Sequence, residues 1–86
     1  MASYQIEWKP SASKELRRLP KRIIAQVFQA VEKLAEDPFP VGVTKLTGTD
    51  ESYRIRIGDY RVVYTVKNAI LRIEVIRVGH RKDVYR

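Results

Sequence analysis

Arg54 and Arg56 stand two residues apart in a run that alternates between charged and apolar side chains, and Arg61 follows just across Gly58-Asp59. Residues two apart on an extended strand project from the same face, so the first two guanidiniums are aimed together. If Gly58-Asp59 turns the chain back on itself, Arg61 falls close to both. Three guanidiniums at short range repel one another, and a phosphate offsets that repulsion with charge-assisted, bidentate hydrogen bonds. The chemistry on offer is phosphate binding. The chain has a single histidine, His80. It is the side chain whose ordinary pKa lies nearest neutrality. Tyr85 can stack on a nucleobase or donate its hydroxyl. Plain structural alternatives stand beside these readings. A basic stripe on a strand can simply face solvent, Arg61 has Asp59 or Glu74 as an ion-pair partner, and His80 can pack at the end of a sheet.

Other chemistries find little support. There are no cysteines, which excludes disulfides and thiolate metal sites. One histidine and scattered carboxylates do not make a conventional zinc site, and no metal or other cofactor is expected. No glycine-rich phosphate loop is present, and Ser11 and Ser13 lack a histidine-centred partner set.

Lys and Arg number 17 against 10 Asp and Glu, a formal charge of +7. Such an excess attracts polyanions through long-range potential and counterion release. It is unevenly spread: residues 1–50 hold 8 basic and 6 acidic side chains, residues 51–86 hold 9 and 4. Eighty-six residues predict one domain over 1–86. No secretion-signal pattern or membrane-length apolar run is found, so a cytoplasmic location is expected.

The elements that must position these residues are legible from periodicity. Tyr4, Ile6 and Trp8 alternate with polar residues, predicting a strand over 3–8. Ser11 is a candidate N-cap for a helix ending near Leu19. Over 21–36, Ile23, Ile24, Val27, Phe28, Val31, Leu34 and Ala35 repeat with a 3.6-residue period, predicting a helix that covers one face of a sheet. Asp37-Pro38 and Pro40 end it, and a loop is expected through Asp50, with Leu46 dipping into the core. From Ser52 the period becomes two, with turns at Gly58-Asp59 and Asn68-Ala69, which predicts three antiparallel strands. Tyr53, Tyr60 and Tyr64 fall on the apolar phase, as core residues. The fold class is α+β: two N-terminal helices packed on a mostly antiparallel four-stranded sheet in the order β-α-α-β-β-β.

Three stretches carry a family resemblance. The run Tyr53-Arg54-Ile55-Arg56-Ile57-Gly58-Asp59-Tyr60-Arg61-Val62-Val63-Tyr64 resembles the central hairpin of the RelE/ParE toxin superfamily. Val78-Gly79-His80-Arg81-Lys82-Asp83-Val84-Tyr85 resembles the end of that family's last strand, and Lys45-Leu46-Thr47-Gly48 its approach to the hairpin. The likeness covers almost the whole chain. It implies a RelE-type mRNA interferase: a toxin that cleaves mRNA in the ribosomal A site without a metal and is neutralised by a small RelB-like antitoxin. That antitoxin is expected to wrap an apolar groove and to cover or displace the basic tail. The resemblance places catalysis on Arg61, Arg81 and Tyr85, with His80 added as base, and substrate binding on Arg54, Arg56 and Lys45. Well-known relatives carry lysines where this chain has Arg54 and Arg56. Arginine holds phosphate but does not act as a general base. Two further readings fit the sequence: a ParE-type toxin that inhibits DNA gyrase, and a non-catalytic module that docks on ribosomal RNA.

Overall fold

The computed structural model describes residues 3–48 and 51–84. Its centre is the hairpin that the two-residue period demands. Strand β3 (Ser52–Ile57) pairs antiparallel with β4 (Tyr60–Lys67), Ile57 opposite Tyr60. Gly58 has φ +59°, and Leu71 is the one non-glycine residue with positive φ among the described residues. Gly at the first central position with a negative φ at Asp59 is the pattern of a type II′ turn, whose twist matches the flanking strands. A 3₁₀ turn at Asn68–Ile70, closed by Leu71 in the left-handed region, leads into β5 (Arg72–His80).

The sheet has five strands in the order β1-β5-β4-β3-β2, not the expected four. The added strand is β2 (Thr44–Lys45), two residues of the expected loop that pair with Arg54 and Tyr53 at the outer edge of β3. A two-residue strand carries no periodicity, so nothing in the sequence marks it. Leu46 is only partly buried and outside the core. At the opposite edge β1 (Gln5–Trp8) runs parallel to β5, making the sheet mixed.

Helix α1 (Pro10–Arg17) starts at proline, with Lys9 and not Ser11 in the capping position. Proline at a first helical position loses no hydrogen bond and arrives with a helical φ. Helix α2 (Lys21–Leu34) lays Ile23, Val27, Val31 and Leu34 on the sheet, and all four are buried. They meet Ile55, Val62, Tyr64, Val66, Ile73, Val75 and Val78 in one core, to which α1 adds Ala12. Each buried Val, Leu or Ile of this set stabilises the fold by about 1.5–3 kcal/mol when removed from water. Phe28 departs from the expected apolar face: it is half exposed and stacks on Trp8 with ring centroids 6.4 Å apart.

One irregularity governs what the opposite face displays. Val63 pairs with Arg77 but Tyr64 pairs with Val75, so Ile76 is an extra residue in β5. Such a bulge reverses the strand's phase. Before it Ile73 and Val75 point at the helices; after it Val78 does. Arg77 and Gly79 are thereby moved to the face that α1 and α2 leave uncovered.

A candidate nucleic-acid interface

Register places the arginines in two cross-strand rows on this uncovered face. Arg56 pairs with Arg61, which pairs with Gly79; Arg54 pairs with Val63, which pairs with Arg77. Paired residues share a face, with Cβ atoms about 5 Å apart. Arg54, Arg56 and Arg61 are therefore brought together as expected, and Arg77 joins them. Nothing in the sequence marks Arg77 for this face, because strict alternation from Ile73 and Val75 assigns it to the core.

The three arginines differ in exposure. Arg56 is exposed and Arg54 half-buried, whereas Arg61 retains 5% of its accessible surface. Its Nη1 donates to the carbonyl oxygens of Gly58 at 2.9 Å and Tyr60 at 3.0 Å. The expected alternative of an ion pair with Asp59 or Glu74 is replaced by these two backbone acceptors. A buried cation needs such partners, and here they also fix where the guanidinium sits.

Arg81 opens a one-turn helix, α3 (Arg81–Val84), that follows β5 without a break. Its backbone N–H donates to the Asp59 carbonyl at 2.8 Å, and its Nε lies 4.0 Å from Asp59 Oδ1. Consecutive carbonyls of a single turn, Gly58 and Asp59, thus hold Arg61 through its side chain and Arg81 through its backbone. The Arg81 side chain itself is exposed. Val84 is buried and folds over Gly79, where an added Cβ would come within 3.3 Å of Val84 Cγ2. Gly79 leaves room for α3 to lie against the sheet. Tyr85 lies outside the described residues.

Two expected site residues are set apart from this cluster. Lys45 pairs with Tyr53 and Thr44 with Arg54, so alternation places the exposed Lys45 on the other phase of β2. His80 pairs with Tyr60, and their rings meet edge-to-face at 5.5 Å on the helix side of the sheet. Its Nδ1 accepts the Lys82 backbone N–H at 3.2 Å. That contact ties the ring to the tail on the side of the sheet away from the arginines.

A groove of about 540 Å³ lies elsewhere, where Ala30 and Leu34 of α2 meet Val41, Ile55 and Arg56 at the β3 edge. Val41 stands fully exposed beside it. The Tyr64 hydroxyl donates to the Pro38 carbonyl at 2.7 Å, tying the segment after α2 to the sheet. Burial, with Tyr53 and Asp37 adding to it, pushes the Tyr64 phenol pKa up, so the donor stays protonated. No cluster of three or more metal-ligating side chains occurs among the described residues, and no helix among them is long and apolar enough to cross a membrane.

Residues 6–85 match the family model described as ParE toxin of the type II toxin–antitoxin system parDE. Toxin RelG of Mycobacterium tuberculosis is 31% identical over 84 residues, covering 96% of this chain and 97% of the relative. The archaeal RelE–RelB complex from Pyrococcus horikoshii contains a chain that superposes with a TM-score of 0.83 at 30% identity, covering 95% of this chain and 99% of that one. The isolated Escherichia coli RelE toxin superposes with a TM-score of 0.81 at 30% identity, over 96% and 92% of the two chains. With α1 and α2 on one side of the sheet and an arginine cluster on the other, this chain belongs to the RelE/ParE superfamily of type II toxin–antitoxin toxins, among relatives of the RelE kind.

Proposed function

We propose that the chain is a ribosome-dependent endoribonuclease that cleaves mRNA in the A site and so stops translation. One observation carries the reading: the Gly58-Asp59 turn holds Arg61 and Arg81 at the end of an open face that also presents Arg54 and Arg56. A scissile phosphodiester lodged there meets several cations. In the reaction the ribose 2′-oxygen bonds to the adjacent phosphorus and the bond to the 5′-oxygen breaks. The products are a 2′,3′-cyclic phosphate and a 5′-hydroxyl. The 2′-hydroxyl gives its proton to solvent water, and the 5′-oxygen takes one from Tyr85 or from water. The arginines stabilise the charge that builds on the pentacovalent phosphorus, a contribution that often dominates such reactions. They remain protonated throughout. Tyr85 is assigned the base stacking or the proton donation at the leaving oxygen. Arg54 and Arg56 hold the flanking backbone; Lys45, on the outermost strand, is assigned to more distant phosphates. His80 takes no proton in this reading, because its Nδ1 is engaged by the tail.

The partner is proposed to be a RelB-like antitoxin, as in the toxin–antitoxin complexes among the structural relatives. The apolar groove between α2 and β3 is the surface assigned to it, and the site of action is the cytoplasm, where translating ribosomes are.

Inducing the chain alone in bacteria and mapping 5′ ends on translated messages tests the reading. Cuts that require translation and vanish with Arg81→Ala are expected; intact messages overturn it. A gyrase-directed activity is the second reading, favoured by the match to a model named for ParE. It predicts loss of supercoiling by purified gyrase with messages left whole.

A further inference from the structure

β5 outruns its neighbour. β1 ends at Trp8, opposite Val75, and the Lys9 N–H makes the last bond along that edge, to the Val75 carbonyl. Beyond it the edge of β5 is open, and Glu15 of α1 reaches across. Its Oε1 accepts the Val78 backbone N–H at 3.0 Å, and its Oε2 accepts Arg77 Nη2 at 3.3 Å. The same Nη2 donates to the Asp83 carbonyl at 3.4 Å, in the last turn of α3. The carbonyls at the end of this single turn have no intrahelical partner, so this contact favours the ordered tail. Glu15 is the only acidic residue between Lys9 and Ala30, an acid kept inside a basic segment.

We infer that Glu15 and Arg77 form a latch that positions the tail helix α3 and with it Arg81 at the end of the arginine face. The inference rests on the nuclease reading, for which it names two positioning residues that touch no reacting atom. The bulge at Ile76 brings Arg77 to this face, α1 supplies the counter-charge that orients it, and its second bond pins α3. The end of α3 opposite Asp83 is held by the Asp59 carbonyl through the Arg81 N–H. With one end anchored to the turn and the other to Arg77, the helix has one resting place. Without the latch it pivots about Asp59, and a small displacement of a cation from the scissile phosphate is enough to slow the chemistry by as much as 100-fold.

Arg77→Ala, Arg77→Lys and Glu15→Gln test this. Gln keeps an acceptor for the Val78 N–H but gives up the charge that orients Arg77, so the strand edge survives while the latch weakens. Two readouts are taken on the full chain: amide hydrogen exchange of residues 81–84, and single-turnover cleavage on ribosomes carrying a defined message. Arg77→Ala and Glu15→Gln are expected to speed tail exchange and lower kcat by about 10- to 100-fold with KM changed less than about threefold. Arg77→Lys, a single point charge, restores part of both. Glu32→Ala, on the exposed face of α2, leaves both unchanged. A rise in KM with kcat preserved overturns the latch and makes Arg77 a phosphate contact. Tail exchange unchanged in Arg77→Ala overturns it as well. If the wild-type chain cuts no message, the nuclease reading fails while the exchange result still decides whether the latch exists.

Discussion

Arg61 illustrates how burial changes what an arginine contributes. A surface arginine on this face is replaceable at little cost, but Arg61 is buried and satisfies two carbonyls of the hairpin turn. Arg61→Ala is therefore expected to lower stability by about 1–3 kcal/mol, while Arg81→Ala, exposed, stays within about 0.5 kcal/mol. Both are expected to abolish cleavage. Urea unfolding of the two variants beside the translation assay separates the structural loss from the catalytic one. His80 belongs to the same scale. A general base contributes typically 100- to 10,000-fold, so His80→Gln reducing cleavage by less than about tenfold is the expected result, and a larger loss returns the proton to the imidazole. For Tyr64 the consequence is for stability. An unfolded tyrosine begins to ionise near its ordinary value of 10.0, whereas the buried phenol keeps its proton well above that. The stability it contributes is complete below that pH and is lost as the pH rises beyond it. Tyr64→Phe is expected to flatten this alkaline fall, measured as the melting temperature across pH 9 to 11.

Among the elements, the β3–β4 turn bears the most. It reverses the chain, and its consecutive carbonyls hold Arg61 and Arg81. Gly58 sits at φ +59° with open space around its Cβ position, so a side chain there is penalised by backbone conformation alone. Gly58→Val is expected to cost about 1–2 kcal/mol and to lower cleavage beyond what that loss explains, because the turn's carbonyls rotate with it. Circular dichroism melts and single-turnover rates on the same preparation give both numbers. The bulge at Ile76 is the second such element. It moves Arg77 out of the core phase and Val78 into it, so β5 feeds the core and the arginine face from one strand.

At the scale of the whole molecule, the sheet separates the functions. One face carries α1, α2 and the core; the other carries Arg54, Arg56, Arg61 and Arg77, with α3 across one end. In a chain of net charge +7, these arginines stand where a polyanion can meet them. For the inactive Arg81→Ala variant, binding to a short single-stranded RNA is expected to weaken steeply with salt, at about −0.7 in log K per log salt for each phosphate neutralised. Arg56→Ala on that background is expected to reduce the slope by about one such step. A slope unchanged by Arg56→Ala places the RNA on another surface.

Much of this was readable from the amino-acid order. Periods of 3.6 and 2 reflect which side chains must leave water together, so helix α2, the β3–β4 hairpin and the shared face of Arg54, Arg56 and Arg61 follow from local pattern. The family's motifs were equally local, and so were the phosphate-binding residue types. Strand β2, the parallel pairing of β1, the bulge in β5 and the burial of Arg61 were not. Each depends on partners far along the chain: Thr44 needs Arg54, Gln5 needs Arg72, Ile76 is extra only relative to β4. The separation of His80 and Lys45 from the arginines belongs with these. Type and spacing made both residues candidates, but only register, a property of paired strands and not of one segment, decides which side of the sheet a side chain stands on.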